Sequence, residues 1–287
     1  MDSRELGLVA GQQLTGMEDL HYGLWEEGEE PSILGAKEAQ NRYTRLILDS
    51  IAEYGGEPSA TRILDVGCGT GVILKKLLQT DYRVDGVIPA AYLRKQVDER
   101  IADLNSAYQA KIYECNFEDF PQSARNNQYD IILFSESYQY IPMSASFPLM
   151  KHLLKSDGKV IVCDFFKTEH DGDGGPGDKS FGGGHALDQF YRDIEHYGYA
   201  ILHDDDITRR ISPTIAVVDE ILMQRIYPTL QTVAAFLNER HPFGFGLFKR
   251  LFRKKMAKLK FKYFTGHRSQ AVFERYKSYH HVVLGLK

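Results

Sequence analysis

The sequence predicts an α/β protein built on a Rossmann-like, doubly wound sheet whose strands are mostly parallel. Three observations predict this fold. Strand-like and helix-like segments alternate from residue 63 to residue 164, which is typical of parallel strands joined by helical crossovers. Several of the strand-like segments are continuous apolar runs, as expected for strands covered on both faces. A glycine-rich turn, residues 67–71 (GCGTG), follows the first of these strands.

The elements are predicted in chain order from periodicity and from residues that break helices. A first helix over 36–54 depends on Tyr43, Ile47 and Ile51, which recur at helical spacing, and it ends before residues 55–58 (GGEP) because Gly and Pro interrupt helices. Strands are then predicted at 63–66, 83–88, 110–115, 129–135 and 159–164, and after a change of pattern at 199–206 and 279–286. Further helices are predicted at 72–78, 90–104, 146–154, 185–197 and 212–239.

Composition and charge narrow the class of protein. The chain has 287 residues, of which 43% are hydrophobic and 26% charged, and a formal net charge of −4. These values are ordinary for a soluble globular protein and argue against a general nucleic-acid coat. The first residues lack the pattern of a signal peptide, and no apolar run reaches the roughly 18 residues of a membrane span. The sequence therefore predicts a cytoplasmic protein.

The three cysteines, Cys68, Cys115 and Cys163, are odd in number and include no pair with CxxC spacing. A disulfide scaffold and a cysteine zinc site are both disfavoured by this spacing. We therefore expect no metal site, and the number and spacing of the cysteines fit a reducing compartment.

The turn after the first strand is predicted to bind a ligand. Gly67, Gly69 and Gly71 follow Asp65 at alternate positions. Glycine lets a ligand lie against the backbone because it has no Cβ, and the free N–H groups of the next helix point into the turn. The G-x-G-x-G spacing differs from the dinucleotide fingerprint and disfavours a nicotinamide cofactor. A tight turn that binds nothing is the alternative interpretation.

Three segments together resemble class I methyltransferases. Residues 63–71 (ILDVGCGTG) resemble the first motif of that family, residues 129–137 (YDIILFSES) the fourth, and residues 153–159 (LLKSDGK) the turn before strand five. The resemblance implies a seven-stranded sheet whose last strand, at 279–286, is antiparallel, and methyl transfer from S-adenosylmethionine. It also implies cofactor contacts from Asp65, Gly67, Cys68, Gly69, Gly71 and Ser135.

Two cofactor contacts depart from the usual pattern of the family. Many relatives end the second strand with an acid that binds the ribose, whereas Ile88 stands at that position and cannot form hydrogen bonds through its side chain. Asp85 lies on the other face if the strand alternates. Residues 86–90 (GVIPA) align with a segment of the sterol, tocopherol and cyclopropane-forming branch, which often lacks the acid too. After strand three, Asn116 is predicted to accept from the adenine amino group and Phe117 to cover the ring, with an ordinary Asx turn as the alternative.

Candidate catalytic residues follow strand four and the next long loop. Residues 135–141 (SESYQYI) resemble the ESxxHI segment of the same branch, with Tyr140 in place of the histidine. An unperturbed phenol titrates near pH ~10, so Tyr140 is predicted to orient an acceptor more readily than to take its proton. Glu136 and His185 are further candidates for proton transfer. The alternative for Tyr140 is packing under the following helix.

The N-terminal segment and the chain after residue 164 are predicted to cover the site. Residues 21–25 (HYGLW) resemble a segment that covers the cofactor in relatives, so Tyr22 is predicted to close over the methionine moiety, or else to anchor the N-terminal helix. Residues 170–184 are rich in Gly and Asp and are predicted to form a lid loop. Their acidic residues lack the downstream glutamate of a calcium-binding loop.

A basic amphipathic helix is predicted over residues 247–262, inside a stretch, 240–273, without Asp or Glu. Such a helix can lie in an anionic membrane interface, or it can bury its apolar face on the domain. Its aromatic residues fall mainly on the apolar side, which suits burial better than stacking on RNA bases. A peripheral membrane contact is therefore favoured over nucleic-acid binding, and burial of the apolar face on the domain stays open as the alternative.

These features together predict an S-adenosylmethionine-dependent methyltransferase that acts on a small molecule of lipophilic character by O-, N- or C-methylation. The predicted division is an N-terminal helical cap (1–55), the cofactor-binding core (56–168), a lid loop with a helical substrate cap (169–268), and a final helix and strand (269–287). Two alternatives remain open, an RNA methyltransferase that uses residues 247–262 and a repurposed cofactor-binding domain. The oligomeric state is not indicated.

Overall fold

The computed structural model describes residues 9, 11–13, 16, 18, 21–265 and 267–287. The seven strands are β1 (Arg62–Val66), β2 (Arg83–Val87), β3 (Ile112–Tyr113), β4 (Tyr129–Ser135), β5 (Leu154–Lys167), β6 (Tyr199–Asp206) and β7 (Lys277–Leu286). They form one sheet in the order β3-β2-β1-β4-β5-β7-β6. Neighbours from β3 to β5 are parallel, and β7 is antiparallel to both β5 and β6. The predicted mostly parallel sheet with an antiparallel last strand is confirmed.

Helices connect and cover the strands. They are α1 (Ile33–Gly55), α2 (Val72–Gln79), α3 (Ala91–Ile101), α4 (Met143–Leu153), α5 (Leu187–His196), α6 (Thr208–Ile211), α7 (Pro213–Glu220), α8 (Tyr227–Arg240), α9 (Pro242–Tyr263) and α10 (Gln270–Tyr276). Helix α1 begins where the Ser32 hydroxyl accepts from the Gly35 N–H at 3.1 Å, because a side-chain acceptor at the N-cap satisfies a free donor of the first turn.

The sheet is buried on both faces, which explains the continuous apolar runs in the sequence. Within β4, Ile131 and Leu133 belong to one apolar cluster, together with Tyr43 of α1, whereas Ile132 and Phe134 belong to the cluster on the opposite face. Successive side chains of a strand point to opposite faces. A strand with helices on both sides therefore needs apolar residues at every position.

Three predicted elements differ from the structure. Strand five was expected at 159–164, but β5 begins at Leu154, which already pairs with Tyr129 of β4. The strand expected at 110–115 is reduced to two residues at the sheet edge, and next to it the Lys111 N–H donates to the Asp85 carboxylate at 2.9 Å. The helix expected over 212–239 is interrupted by a π-helical turn, Ile221–Ile226. Pro228 follows this turn and lacks the N–H that a regular helix needs.

A buried carboxylate ties three strands of the core together. Asp85 of β2 is fully buried and accepts from the Arg62 guanidinium of β1 at 2.8 Å and from the Tyr129 hydroxyl of β4 at 2.9 Å. The Tyr108 hydroxyl adds a further bond at 2.9 Å. Since a buried charge is tolerated only when it is paired and hydrogen-bonded, these donors allow Asp85 to sit inside the sheet.

We predict that Asp85→Ala destabilises the protein by about 3–5 kcal/mol, because it leaves the partly buried Arg62 guanidinium and the Tyr129 hydroxyl without their acceptor. Urea unfolding monitored by circular dichroism measures the free energy of unfolding. The control is Glu99→Ala, which removes an exposed pair with Lys95 at 3.7 Å and should cost about 1 kcal/mol or less. Equal losses in the two variants would contradict the structural role of Asp85.

Candidate functional site

The glycine turn lies at the carboxyl edge of the sheet, between the exits of β1 and β4. Gly67, Gly69 and Gly71 have φ angles of +74°, +54° and +80°, and Gly71 is the N-cap of α2. Only glycine adopts such left-handed conformations without strain at successive turns. The order of strands reverses at β1, which is the topological switch point where open α/β sheets bind ligands.

Two of these glycines serve different purposes. A Cβ atom on Gly67 would lie 2.4 Å from the Ser137 Cβ, whereas a Cβ atom on Gly69 would meet no heavy atom closer than the Gly67 carbonyl oxygen at 4.0 Å. The Ser137 hydroxyl also donates to the Val66 carbonyl. Gly67 is therefore required for contact between the two loops, and Gly69 faces space that the described chain leaves open.

The first-motif residues Asp65 and Cys68 are both buried. Asp65 is 2% exposed at the end of β1, and Cys68 is 8% exposed in an apolar cluster. Burial raises the pKa of the Cys68 thiol well above its ordinary value, and the Asp65 carboxylate adds to the rise. Cys68 is thus a neutral thiol, and its side chain packs inward while its backbone remains in the loop.

Ile88 lies at the end of β2 in the same apolar cluster as Cys68. It is 4% exposed, and its N–H donates to the Tyr113 carbonyl at 3.0 Å. The position at which relatives carry a ribose-binding acid is therefore apolar and packed, and any ribose contact has to come from the backbone or from another loop.

Asn116 and Phe117 follow β3 and lie in different environments. The Asn116 side chain is exposed, and its amide nitrogen donates to the Asp119 carboxylate at 3.1 Å, which leaves its amide oxygen as the acceptor toward a ligand. Phe117 is 2% exposed and packs edge-to-face on Phe134. The structure thus places Phe117 in the core below the loop, and Asn116 at the surface.

Glu136 and Tyr22, predicted separately as catalytic and cofactor-covering residues, lie together. The Tyr22 N–H donates to Glu136 Oε1 at 2.7 Å, and Glu136 adopts a left-handed φ of +55°. Such a backbone conformation costs free energy in a residue other than glycine and tends to occur at functional sites. The contact connects the N-terminal segment to the loop after β4.

Two buried tyrosines that the motifs did not indicate complete this group. The Tyr279 hydroxyl donates to Glu136 Oε1 at 3.0 Å, and it lies 3.0 Å from the Tyr43 hydroxyl, which in turn lies 3.0 Å from Ser135 Oγ. Burial raises the pKa of both phenols well above the ordinary value, and the Glu136 charge contributes to the rise. Both phenols are therefore protonated, and Tyr279 holds the Glu136 carboxylate while Tyr43 holds Tyr279.

Asp164, at the end of β5, is a second carboxyl of the site that sequence reasoning missed. It is fully buried and accepts from the Gln139 N–H at 3.0 Å and from the Phe165 N–H at 2.8 Å. Burial raises its pKa to about 8, against the effect of these bonds, and the Glu136 charge contributes to the rise. Only its place at the carboxyl end of a central strand distinguished it in the sequence.

Tyr140 and His185 lie in different environments. Tyr140 is 64% exposed and lies within electrostatic range of the Tyr22 phenol. His185 Nε2 lies 2.9 Å from the Ile141 carbonyl oxygen and 3.1 Å from that of Tyr138, so this nitrogen is a donor to the backbone. In this arrangement His185 fastens the end of the lid loop to the loop after β4, and the structure does not bring it to Glu136.

The predicted lid loop, residues 170–184, has no helix or strand, and its last part is docked. The Lys277 ammonium donates to the Gly183 carbonyl at 2.7 Å, and the Arg268 guanidinium donates to the Ser180 carbonyl at 3.1 Å. Phe181 packs edge-to-face on Phe273. Lys277 is 1% exposed, and burial lowers its pKa to about 8. The last part of this loop is therefore held in place through its own backbone carbonyls.

Comparison with known sequences agrees with the resemblance drawn from the motifs. A family model described as a methyltransferase domain matches residues 63–158. An uncharacterized methyltransferase of Geobacillus thermodenitrificans is 27% identical over 147 residues, which cover 49% of this chain and 63% of that protein. The match thus spans less than two thirds of that relative's length.

Solved structures extend the similarity over nearly the whole chain. A geranyl diphosphate C-methyltransferase from Streptomyces coelicolor has a TM-score of 0.66 at 14% identity, covering 96% of this chain and 92% of that one. A 4+2 cyclase gives 0.65 at 18% identity, covering 96% and 91%. A cyclopropane synthase from Mycobacterium tuberculosis gives 0.65 at 13% identity, covering 93% and 89%. The class I methyltransferase fold is therefore confirmed.

We predict that Asp164→Asn changes how stability depends on pH. Because the folded pKa of Asp164, about 8, lies above that of the unfolded chain, the folded state holds the proton more tightly. Its contribution to stability is complete at acidic pH and is lost as the pH rises through the folded value, at up to about 1.4 kcal/mol per pH unit. The wild type should therefore lose stability relative to Asp164→Asn between the two pKa values. Urea unfolding at several pH values measures the difference, and parallel curves for the two proteins would contradict it.

Proposed function

We propose that this protein is an S-adenosylmethionine-dependent methyltransferase that acts on a small, lipophilic molecule. The observation that carries the proposal is the glycine turn at the switch point of the sheet, with open space beside Gly69. The methyltransferase-domain match over residues 63–158 supports the same activity. Solved neighbours with this fold were crystallised with S-adenosylhomocysteine, which supports an adenosyl cofactor here.

The proposed cofactor contacts are made by loops at the ends of four strands. The turn of Gly67, Gly69 and Gly71 would hold the methionine and ribose end through its backbone, with Asn116 at the adenine end. S-adenosylmethionine carries its methyl group on a positively charged sulfur, and this sulfur leaves readily as a neutral thioether. The protein therefore mainly has to align the acceptor and exclude water. The docked lid loop and the Tyr22 segment supply that exclusion.

An acceptor that must lose a proton needs a base, and we propose Glu136 for that role. Its carboxylate is fixed by Tyr279 and by the Tyr22 N–H. The Glu136 charge also lies near enough to Asp164 to raise the pKa of that carboxyl. Proton transfer requires a group of suitable pKa within hydrogen-bond reach of the acceptor. Tyr140, which is exposed near Tyr22, is proposed to orient the acceptor. His185 stays a weaker candidate, since its Nε2 is used by the backbone.

A buried aromatic cluster packs next to the Glu136 carboxylate and supports an acceptor with apolar character. Tyr22 packs against Phe273 and Tyr279 with ring centroids 5.9 and 6.0 Å apart, and Phe273 also contacts Phe165 and Phe181. Aromatic side chains contribute large apolar contact areas to ligand pockets. We propose that this aromatic wall, next to the carboxylates of Glu136 and Asp164, selects the acceptor.

A second candidate function is a cyclisation catalysed on the same scaffold. A 4+2 cyclase is among the structurally similar proteins, and a fold alone does not determine the reaction. Ile88 and Tyr140, where relatives carry an acid and a histidine, favour this alternative. It predicts that the adenosyl compound binds without being consumed.

We also propose a cytoplasmic protein that touches a membrane surface through residues 247–262. Among the described residues, all three cysteines are free thiols, which suits a reducing compartment. A contact with the inner face of a membrane would bring the acceptor pocket near lipophilic compounds. RNA is not proposed as a partner, because the aromatic residues of this segment fall mainly on its apolar side, which suits burial better than stacking on bases.

The experiment that tests cofactor binding compares two glycine substitutions. Gly69→Ala and Gly28→Ala both place a Cβ at positive φ, +54° and +79°, with no protein atom closer than 4.0 Å. Their cost in backbone strain is therefore similar, roughly 1–2 kcal/mol. Isothermal titration with S-adenosylhomocysteine should show binding by the wild type and by Gly28→Ala, and a loss of about tenfold or more, which corresponds to roughly 1.4 kcal/mol, for Gly69→Ala. Equal affinities of the two variants, or no heat with the wild type, would contradict the proposal.

A further inference from the structure

Helices α8 and α9 form an antiparallel hairpin that leaves the core of the molecule. The rings of Tyr227 and Phe264, at the two open ends of the hairpin, stack with centroids 5.1 Å apart, and Lys249 donates to the Asn238 side chain near its tip at 3.3 Å. No residue of α8 is buried. The hairpin, residues 227–264, therefore adds almost nothing to the core that the rest of the chain builds.

The hairpin exposes an unusual amount of apolar surface. Its large apolar side chains that are 40–94% exposed are Leu230, Val233, Phe236, Phe243, Leu247, Phe248, Leu251, Phe252, Met256, Leu259 and Phe261. Single exposed apolar residues are ordinary, but eleven large ones within one helical hairpin indicate a surface that meets an apolar partner. The sequence left open whether this apolar side is buried on the domain, and the structure leaves it uncovered.

The charge of α9 and of the residues that follow it is equally one-sided. Residues 240–273 contain ten Lys and Arg residues and no Asp or Glu, whereas the whole chain has a net charge of −4. The remainder of the chain therefore carries −14. Side chains with long apolar stems, such as lysine, can lie along an apolar surface while their charges reach a polar boundary. Apolar and basic groups together match the acyl region and the headgroups of an anionic bilayer.

We propose that the hairpin of α8 and α9 is a docking surface for an anionic lipid bilayer. It would lie in the interface, since no helix in the described part of the chain has the length and apolarity to cross a membrane. Basic residues at such a surface each contribute about 1 kcal/mol of attraction, and apolar side chains insert beneath the headgroups. A second copy that paired hairpin to hairpin fits the surface less well, because its own hairpin carries the same charge.

The docking would place the substrate side of the enzyme against the lipid. The hairpin is inserted between β6 and α10, and α10 contributes Phe273 to the aromatic wall near Tyr22. Bilayer binding itself requires neither a cofactor nor catalysis, so it can be measured apart from the proposed methyl transfer.

The test is co-sedimentation of the full chain with vesicles of phosphatidylglycerol mixed with phosphatidylcholine, and with vesicles of phosphatidylcholine alone. We expect binding to the anionic vesicles only, and a marked decrease at about 0.5 M salt, where charges are screened within a few ångströms. The double variant Lys254→Glu/Lys258→Glu should bind the anionic vesicles at least about tenfold more weakly. Phe248→Ser/Phe252→Ser should also weaken binding, because it removes apolar contacts and leaves the charge unchanged.

The matched control is Lys76→Glu/Lys95→Glu, which makes the same charge change on α2 and α3 of the core and should retain binding. Circular dichroism and thermal unfolding verify that each variant is folded, which we expect because the substituted hairpin residues are exposed. The proposal is overturned if the wild type binds neither kind of vesicle, or if the control loses as much affinity as the hairpin variants. It is also overturned if light scattering shows a concentration-dependent dimer that Phe248→Ser/Phe252→Ser abolishes, since a second copy would then cover the surface.

Discussion

The close approach of two loops at the carboxyl edge of the sheet is the constraint on which the site depends. The turn after β1 and the loop after β4 touch at Gly67 and Ser137, where a side chain on residue 67 would overlap the Ser137 Cβ at 2.4 Å. This contact fixes the turn, so that Gly69 presents bare backbone to open space and Glu136, the residue before Ser137, faces Tyr22 and Tyr279. The contact between Gly67 and Ser137 thus positions both the glycine turn proposed to hold the cofactor and the proposed base Glu136.

Two buried aspartates, Asp85 and Asp164, differ in how their surroundings compensate the charge of the carboxylate. Asp85 lies inside the sheet with a guanidinium and two hydroxyl donors, and its charge is compensated there. Asp164 lies equally deep, but its described partners are amides without charge. Burial, with a contribution from the Glu136 charge, raises its pKa to about 8. A compensated carboxylate stabilises the fold, whereas an uncompensated one near neutrality is typical of sites where protons move.

Much of the fold could be predicted from local patterns, because parallel strands covered on both faces appear in the sequence as continuous apolar runs separated by helical segments. The motif residues also located the glycine turn and Glu136. The sequence did not assign Tyr43 or Tyr279 to the site, since the hydrogen-bond partners of each hydroxyl lie 92 or more positions away. Asp164 was missed because a single aspartate near the end of a strand belongs to no motif. The positions of Phe117 and His185 depended on side-chain packing and on backbone carbonyls that no motif encodes.

Amide hydrogen exchange with and without S-adenosylhomocysteine tests most directly whether the exposed backbone at the exit of β1 is the cofactor cradle. The structure predicts slower exchange in the presence of the ligand in peptides covering residues 66–72, 88–90, 115–117 and 135–137, with little change in the hairpin 227–264. These four loops share one edge of the sheet, so their protection should appear together. Protection confined to other regions, or no change at saturating ligand, would contradict the assignment of this edge to an adenosyl compound.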